Sequence, residues 1–175
     1  VDIQTTTILS SRDKIEFNLS YIKKEFTDLE FIYYPITNWM GVPNVSYNGK
    51  EMPNAPNWTA NINYSHNFPL PNGGTITPRV EARYSSKYVL NWQAWEYGLD
   101  RATMEPYFRD TTDVRWQESY FIANLAMVYA NADGQWTLNG YVNNVQDYAV
   151  KRGMMMGSFM IGPPRTYGMV LSVRF

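Results

Sequence analysis

Apolar and polar side chains alternate with a period of two in the last segment of the chain. In RTYGMVLSVRF, every second position from Tyr167 to Phe175 is apolar, and most of the positions between them are polar or small. Successive side chains of a β-strand point to opposite faces, so the pattern predicts a strand with one apolar face. The apolar positions are Tyr167, Met169, Leu171, Val173 and Phe175.

The same alternation recurs along the chain and predicts about seven strands and no helix. It is clearest in KIEFNLSYI, NWTANINYSHNF, TITPRVEARYS, YFIANLAMVYA and QWTLNGYVNN, and it is weaker in the opening DIQTTTIL. The connections between these segments are alternately short and long. The short ones lie near 10–13, 69–74 and 131–134, and the long ones near 27–56, 88–117 and 146–164.

This sorting of the connections distinguishes between β architectures. An up-and-down barrel of the outer membrane has short turns on its periplasmic side and long loops on its outer side. A soluble β-sandwich has no reason to alternate its loops in this way. The pattern therefore predicts an all-β fold of antiparallel, up-and-down strands. In a transmembrane β-barrel the apolar face would be toward lipid and the polar face toward the lumen, whereas a soluble barrel reverses this, and the alternation does not distinguish the two.

The aromatic residues agree with a membrane setting. They make up 16% of the chain, with 14 Tyr and 6 Trp, and both of these side chains suit the boundary between lipid and water. With the short turns on the periplasmic side, aromatic residues fall near both predicted boundaries. Those near the periplasmic boundary are Phe68, Tyr129, Trp136 and Phe175, and those near the opposite boundary are Trp58 and Tyr167.

Composition excludes several other classes. The formal net charge is −1, so no basic surface for nucleic acid is expected, and the absence of cysteine excludes thiolate metal sites and disulfides. No apolar run approaches the ~18 residues of a membrane helix. The opening VDIQTTTIL has no basic or apolar region of a signal peptide, so we expect a piece of a longer protein or a chain that has lost its leader.

Few residues are candidates for chemistry. His66 is the single histidine, it lies in no metal-binding spacing, and it is expected to face outward near the periplasmic boundary. No Gly-x-Ser-x-Gly turn supports a Ser-His-Asp site. Thioethers of Met154–Met156 suit copper(I), but three adjacent residues of a strand do not face one ion, and packing is expected. We predict no catalytic residue, no metal, no cofactor and no enzyme activity.

Several segments resemble the last third of the barrel of TonB-dependent outer-membrane receptors. They are DKIEFNLSYIKKEFTDLEF (13–31), MPNAPNWTANINYSHNFPLPNGGTITPRVEARYSSKY (52–88), ADGQWTLNGYVNNVQDYAV (132–150) and PPRTYGMVLSVRF (163–175). Together they carry an Asn-Ala-Pro-x-Trp-Thr run, an Asn-x-x-Asp after a strand and a Pro-Arg-Thr-Tyr-Gly before the last strand. The aromatic end of that strand resembles the signal read by the barrel-assembly machinery, on Tyr167, Met169, Leu171, Val173 and Phe175.

The resemblance implies that residues 1–175 are the C-terminal segment of a barrel of about 22 strands. The other strands, the plug and the TonB-contacting box would lie outside this chain. It further implies a bacterial outer-membrane location and active uptake of a scarce ligand, such as an iron chelate, cobalamin or a carbohydrate. The expected partners are lipid, the remainder of the barrel and plug, the TonB complex through the N-terminal part, and the barrel-assembly machinery.

The long connections and one strand contain the candidate binding residues. Aromatic rings mixed with arginine are typical of recognition surfaces, although the same rings can pack a loop against itself. The ligand-binding candidates are Tyr33, Tyr34, Trp39, Trp92, Trp95, Tyr97, Tyr107, Arg109 and Trp116. Arg79, Glu81 and Arg83 form a lumen-facing stripe that would contact the plug or line a ligand path, or form cross-strand ion pairs.

Two other architectures fit the same alternation. One is a complete outer-membrane barrel of about eight strands, serving as an adhesin, a structural element or an enzyme. The other is a soluble ligand-binding β-barrel, in which the apolar face would be turned inward. The decisive residues are Ile62, Val80 and Leu171, which are exposed in a membrane barrel and buried together in a soluble one.

Overall fold

A computed structural model describes residues 1–31, 45–91, 95–99, 102–103, 106–110, 115–155 and 158–174. Within these ranges the regular secondary structure is entirely β, and no helix is long and apolar enough to cross a membrane. In chain order the strands are β1 (Asp2–Ile8), β2 (Asp13–Tyr21), β3 (Glu30–Phe31), β4 (Val45–Ser46), β5 (Trp58–His66), β6 (Phe68–Pro69), β7 (Thr75–Ser85), β8 (Tyr88–Val89), β9 (Trp95–Leu99), β10 (Pro106–Asp110), β11 (Trp116–Gln117), β12 (Tyr120–Ala130), β13 (Trp136–Asn143), β14 (Lys151–Met155), β15 (Ser158–Ile161) and β16 (Thr166–Val173).

Seven long strands form one antiparallel sheet in the order β1-β2-β5-β7-β12-β13-β16, and the short β6 pairs beside β7. Each long strand lies beside the next long strand of the chain, which is the up-and-down arrangement predicted from the sequence. The pairing is continuous: β7 and β12 run in register from Ser85 opposite Tyr120 to Thr75 opposite Ala130. The predicted all-β class and the seven predicted strands are confirmed.

The two edges of the sheet are β1 and β16. In the part of the chain that the structure describes, β1 pairs only with β2, and β16 pairs only with β13. A closed barrel requires its first and last strands to pair with each other. The seven long strands therefore form an open, curved wall rather than a complete small barrel.

The connections alternate in length as predicted, but the long ones have structure of their own. They contain the hairpins β3–β4, β9–β10 and β14–β15, and β8 pairs with β11 at the base of one of them. Pairing within a loop satisfies backbone N–H and C=O groups that would otherwise lack partners. Because these strands have only two to five residues, their alternation is too short to predict them.

One face of the sheet is apolar and exposed. The exposed fractions are 44% for Ile62, 43% for Val80 and 62% for Leu171, and no second layer of described residues covers them. Arg79 and Arg83 occupy the opposite, polar face, because they alternate with Val80 on β7. A soluble barrel would bury these three apolar side chains together, so that alternative is wrong.

The small buried core lies at the long-connection end of the sheet. Tyr47 and Val89 are almost completely buried, and Phe26, Leu29 and Trp116 pack against them. A single-layer sheet has no second layer to bury its faces. Side chains are therefore buried where the long connections fold over the ends of the strands. The long connections lie beside the polar face at this end of the sheet.

Candidate functional site

The polar face of the sheet is concave. A cleft of about 420 Å³ lies over it, lined by residues of β2, β5, β7, β12 and β13. One row of this face crosses four strands, with Glu16 opposite Asn63, Asn63 opposite Glu81, and Glu81 opposite Asn124. A cleft that spans five strands requires the sheet to curve toward its polar side, which is the side predicted to face a lumen.

The carboxylates of this row have polar partners, and Glu16 also forms an ion pair with the Lys14 ammonium. Asn124 Nδ2 donates to Glu81 Oε2 at 3.1 Å, and Asn63 Nδ2 donates to Glu16 Oε2 at 3.5 Å. In contrast, the side-chain oxygens of Asn61 and Asn139 are buried without a partner among the described residues. A buried oxygen without a hydrogen-bond donor costs free energy, so these two amides lower the stability of the polar face.

The predicted charged stripe lies on this face. Arg79, Glu81 and Arg83 occupy alternate positions of β7. Glu81 is hydrogen-bonded to Asn124, and neither arginine forms an ion pair within the described residues. The cross-strand ion pairs offered as an alternative are therefore not formed there, and contact with a plug stays a prediction.

A second cavity, of about 300 Å³, lies at the long-connection end of the polar face. It is lined by Asn54, Pro56, Thr59, Arg83, Ser85, Tyr88, Tyr120 and Arg152. The Tyr88 hydroxyl donates to the Lys151 carbonyl oxygen at 3.1 Å. Burial, reinforced by the neighbouring Tyr120 hydroxyl, raises the pKa of Tyr88 to about 12, so its hydroxyl stays protonated at neutral pH.

The pattern along the chain does not mark Tyr88, Tyr120 or Arg152 as site residues. They come from β8, β12 and β14, and only the folding of the connections brings them together. Tyr120 stacks on Tyr148 with 5.9 Å between ring centroids, which holds one wall of the cavity. In the sequence, only the excess of tyrosine points to these residues. It indicates that the protein has binding surfaces rich in tyrosine, but it does not say which tyrosines form them.

The described ligand-binding candidates lie in two places. Trp116 packs against the small core of Tyr47 and Val89, and the Lys87 ammonium lies 4.9 Å from the centre of its ring. Trp95 and Tyr97 belong to β9, and Tyr107 and Arg109 belong to β10, so the four share one hairpin. Tyr33, Tyr34, Trp39 and Trp92 lie outside the described residues. Ligand contact stays a prediction for all nine.

Asp13 and His66 form a cluster at the short-turn end of the apolar face. The ring nitrogen Nδ1 of His66 lies 2.5 Å from Asp13 Oδ1, and Tyr64 Oη donates to the same oxygen at 2.7 Å. Ser10 Oγ donates to Asp13 Oδ2 at 2.6 Å rather than to His66. The serine is therefore not paired with the histidine, as the nucleophile of a Ser-His-Asp site would be.

The methionine run and the acidic residues give no metal centre in the described part of the chain. Met154 is paired with Phe159, and Met155 with Ser158, so the two neighbours occupy successive positions of β14. Met156 lies outside the described residues. No described group of three or more His, Asp or Glu residues is placed to hold a metal ion.

The Asn-x-x-Asp segment joins β13 to the start of β16. Asn144 is 4% exposed, and its Nδ2 donates to the carbonyl oxygens of Tyr148 at 3.0 Å and Pro163 at 3.3 Å. Asp147 Oδ1 accepts a hydrogen bond from the Arg165 backbone N–H at 2.7 Å. Asn144 and Asp147 both have positive φ, at 52° and 54°, a conformation that asparagine and aspartate tolerate better than most residues.

Aromatic side chains mark both ends of the apolar face. At the short-turn end, the ring centroids of Tyr129 and Trp136 are 5.0 Å apart. At the other end, the ring centroids of Tyr21 and Trp58 are 4.5 Å apart. The predicted assembly positions of β16 project from the same face. Tyr167, Met169, Leu171 and Val173 are all exposed there, and Phe175 lies outside the described residues.

Comparison by sequence finds no matching family model and no matching characterised protein. Comparison of structures finds receptors. The ferric yersiniabactin uptake receptor FyuA from Yersinia pestis matches 99% of this chain with a TM-score of 0.69 and 14% identity. The siderophore receptor PiuA from Acinetobacter baumannii matches 97% with a TM-score of 0.65 and 18% identity.

The ferripyoverdine receptor of the outer membrane of Pseudomonas aeruginosa, bound to ferripyoverdine, matches 97% of the chain with a TM-score of 0.59 and 16% identity. Our chain spans 23%, 20% and 18% of the FyuA, PiuA and ferripyoverdine receptor chains, which is about a fifth of their length. At these identities the similarity establishes the fold. The chain therefore has the fold of a segment of an outer-membrane siderophore-receptor barrel, as its sequence predicted.

Proposed function

We propose that the chain is the C-terminal barrel segment of a TonB-dependent outer-membrane receptor that takes up an iron chelate. The observation that carries the proposal is the single-layer sheet, with a concave polar face and an exposed apolar face, in the fold of siderophore-receptor barrels. The similar receptors are named for ferric yersiniabactin, ferric preacinetobactin and ferripyoverdine. Among the ligands considered from sequence, they favour an iron chelate over cobalamin or a carbohydrate.

In this proposal the apolar face contacts lipid. Exposed side chains such as Leu125 and Met127 are stabilised by hydrocarbon, while the aromatic residues at the two ends of the face lie in the interfacial regions. The free edges of β1 and β16 pair with the remaining strands of the barrel, which satisfies their backbone groups. The apolar positions of β16, together with Phe175, act as the signal for the barrel-assembly machinery.

The polar face is proposed to surround the plug. Arg79 and Glu81 line the 420 Å³ cleft, where their charged groups are placed to contact polar groups of a plug domain. Uptake then requires these contacts to rearrange, driven from the periplasm by the TonB complex. The residues of this chain make and release polar contacts, and no covalent step is needed.

The long connections are proposed to capture the ligand on the outer side. The hairpin β9–β10 contributes Trp95, Tyr97, Tyr107 and Arg109, and the connections also contribute Tyr33, Tyr34, Trp39, Trp92 and Trp116. Aromatic rings and arginine together give apolar contact area and hydrogen-bond donors to a bulky chelate.

The proposal is tested by uptake of iron by the full-length protein that contains this chain. It is produced in an iron-starved Gram-negative strain that lacks its own chelate receptors, and radioactive iron is supplied on a series of chelates, including ferric citrate and a neutral ferric trihydroxamate. We expect uptake from at least one chelate, and loss of that uptake in a matched strain without the TonB complex. Absence of uptake from every chelate, or uptake that is unaffected by loss of the complex, would contradict the proposal.

A further inference from the structure

Two arginines that are distant in sequence line one cavity. Arg83 comes from the polar face of β7 and Arg152 from β14 in the last long connection, and both border the 300 Å³ cavity at the long-connection end. Neither forms an ion pair within the described residues. The lining contains no Asp or Glu, so two guanidinium charges face the same space without a neutralising group.

The remaining walls supply neutral polar groups. Tyr88 is fixed by its hydrogen bond to the Lys151 carbonyl oxygen, and Tyr120 is fixed by stacking on Tyr148. Thr59 belongs to the same lining. The proton of the Tyr88 hydroxyl is already donated to the Lys151 carbonyl oxygen, so the charged donors of the cavity are the two guanidinium groups, and they favour an anion.

The size and the donor geometry narrow the class of anion. A volume of 300 Å³ is at the lower end of small-molecule pockets, which range over about 300–1,000 Å³, so the cavity fits one arm of a larger ligand. The planar guanidinium group of arginine matches a carboxylate through two parallel hydrogen bonds. These features point to a carboxylate-bearing arm.

We infer that this cavity, the Arg83–Arg152 subsite, binds a carboxylate group of the transported ligand and selects anionic iron chelates over neutral ones. The inference rests on the proposed function and specifies the ligand class. A carboxylate of a plug side chain has the same chemistry, and the experiment below separates the two sources.

Gly162 positions one of the two arginines. A Cβ atom at this residue would lie 3.0 Å from Arg152 Nε and 3.6 Å from Arg152 Cδ, so the side chain of Arg152 passes directly over the glycine. The contact is with the flexible end of a side chain, and substitution by alanine is therefore expected to move the guanidinium group rather than unfold the chain. Gly162 is thus a positioning residue of the subsite.

The test measures affinity of the purified full-length receptor for ferric citrate, an anionic chelate, and for a neutral ferric trihydroxamate. Arg83→Gln and Arg152→Gln are each expected to weaken ferric citrate binding at least tenfold, as loss of a charged hydrogen bond does, and to change trihydroxamate binding less than twofold. Gly162→Ala is expected to weaken ferric citrate binding selectively but less. The matched control is Arg12→Gln, at the exposed short-turn end.

Any other result overturns part of the inference. Equal effects on both chelates, no effect, or a wild-type receptor that does not bind ferric citrate would overturn the subsite. A lower unfolding temperature of the ligand-free receptor with unchanged ferric citrate binding would assign the subsite to a plug carboxylate and overturn the ligand assignment. If iron uptake from other chelates still depends on the TonB complex, the proposed function stands without the subsite.

Discussion

At the scale of single residues, Asn144 connects parts of the chain that are distant in sequence. Its amide donates to Tyr148 and Pro163, its oxygen accepts from the Tyr148 backbone N–H at 3.0 Å, and its own N–H donates to Asn124 Oδ1 at 2.9 Å. The turn after β13 is thereby joined to the segment that starts β16. This gives a physical role to two of the motifs on which the family resemblance rests.

Substitution of Asn144 separates the contributions of its side chain and of its backbone conformation. Asn144→Gly keeps the positive φ but loses the side-chain hydrogen bonds, and we expect destabilisation of about 1–3 kcal/mol. Asn144→Ala also places a Cβ in the left-handed region, which adds about 1–2 kcal/mol. Unfolding by urea in lipid vesicles measures both, and equal stability of the two variants would contradict the conformational part.

At the scale of the strand, the two faces of the sheet differ in polarity. Leu125 and Ala126 are neighbours in the middle of β12, but Leu125 lies opposite Val80 on the exposed apolar face, and Ala126 lies opposite Arg79 on the polar face. A single step along the strand therefore moves a side chain from the apolar face to the polar face, which in the proposed function is a step from hydrocarbon to the lumen. The two positions form a matched pair for testing the assignment of the faces.

Replacing each of these residues by arginine tests which face contacts lipid. Leu125→Arg is expected to destabilise the protein by about 2–4 kcal/mol, the cost of arginine on the lipid face near the midplane of the bilayer. Ala126→Arg is expected to cost much less, because its guanidinium group reaches the polar cleft. The measurement is folding into vesicles followed by heat-dependent gel migration. A larger effect at Ala126 would reverse the assignment of the faces.

At the scale of the whole molecule, the structure has two unlike ends. The short turns lie at one end with the Asp13–His66 cluster, and the long connections lie at the other end with the small core and the Arg83–Arg152 subsite. In the proposed function, the long-connection end faces the outside of the cell, where ligand is captured. Orientation is therefore a property that can be measured independently of transport.

Labelling of single cysteines in intact cells measures this orientation. The chain has no cysteine, so Met52→Cys at the long-connection end and Ser11→Cys in a short turn introduce the only thiols within it. In a full-length protein otherwise free of cysteine, an impermeant maleimide is expected to label Met52→Cys in intact cells, and Ser11→Cys only after the outer membrane is permeabilised. The reverse pattern would contradict the proposed orientation.

The strands and their faces could be predicted from the sequence because alternation over eight to eleven residues leaves little freedom. A shift of one position in TITPRVEARYS would turn Arg79, Glu81 and Arg83 toward the apolar face, so the pattern selects one register. The hairpins within the long connections could not be predicted. Their strands are as short as two residues, and a pair such as Glu30 and Ser46 depends on chain folding between them.

By itself, the sequence determined the strand positions, the apolar and polar faces, and the alternation of short and long connections. Each of these follows from local periodicity and spacing along one strand or between neighbouring strands. Only the tertiary structure decided that Arg83 and Arg152 line one cavity. The same holds for the hydrogen bond between Asp13 and His66 and for the one from the Asn144 amide to the Pro163 carbonyl oxygen. Such contacts depend on strand register and on how separate connections pack together, and a period of two residues contains no information about which connections meet.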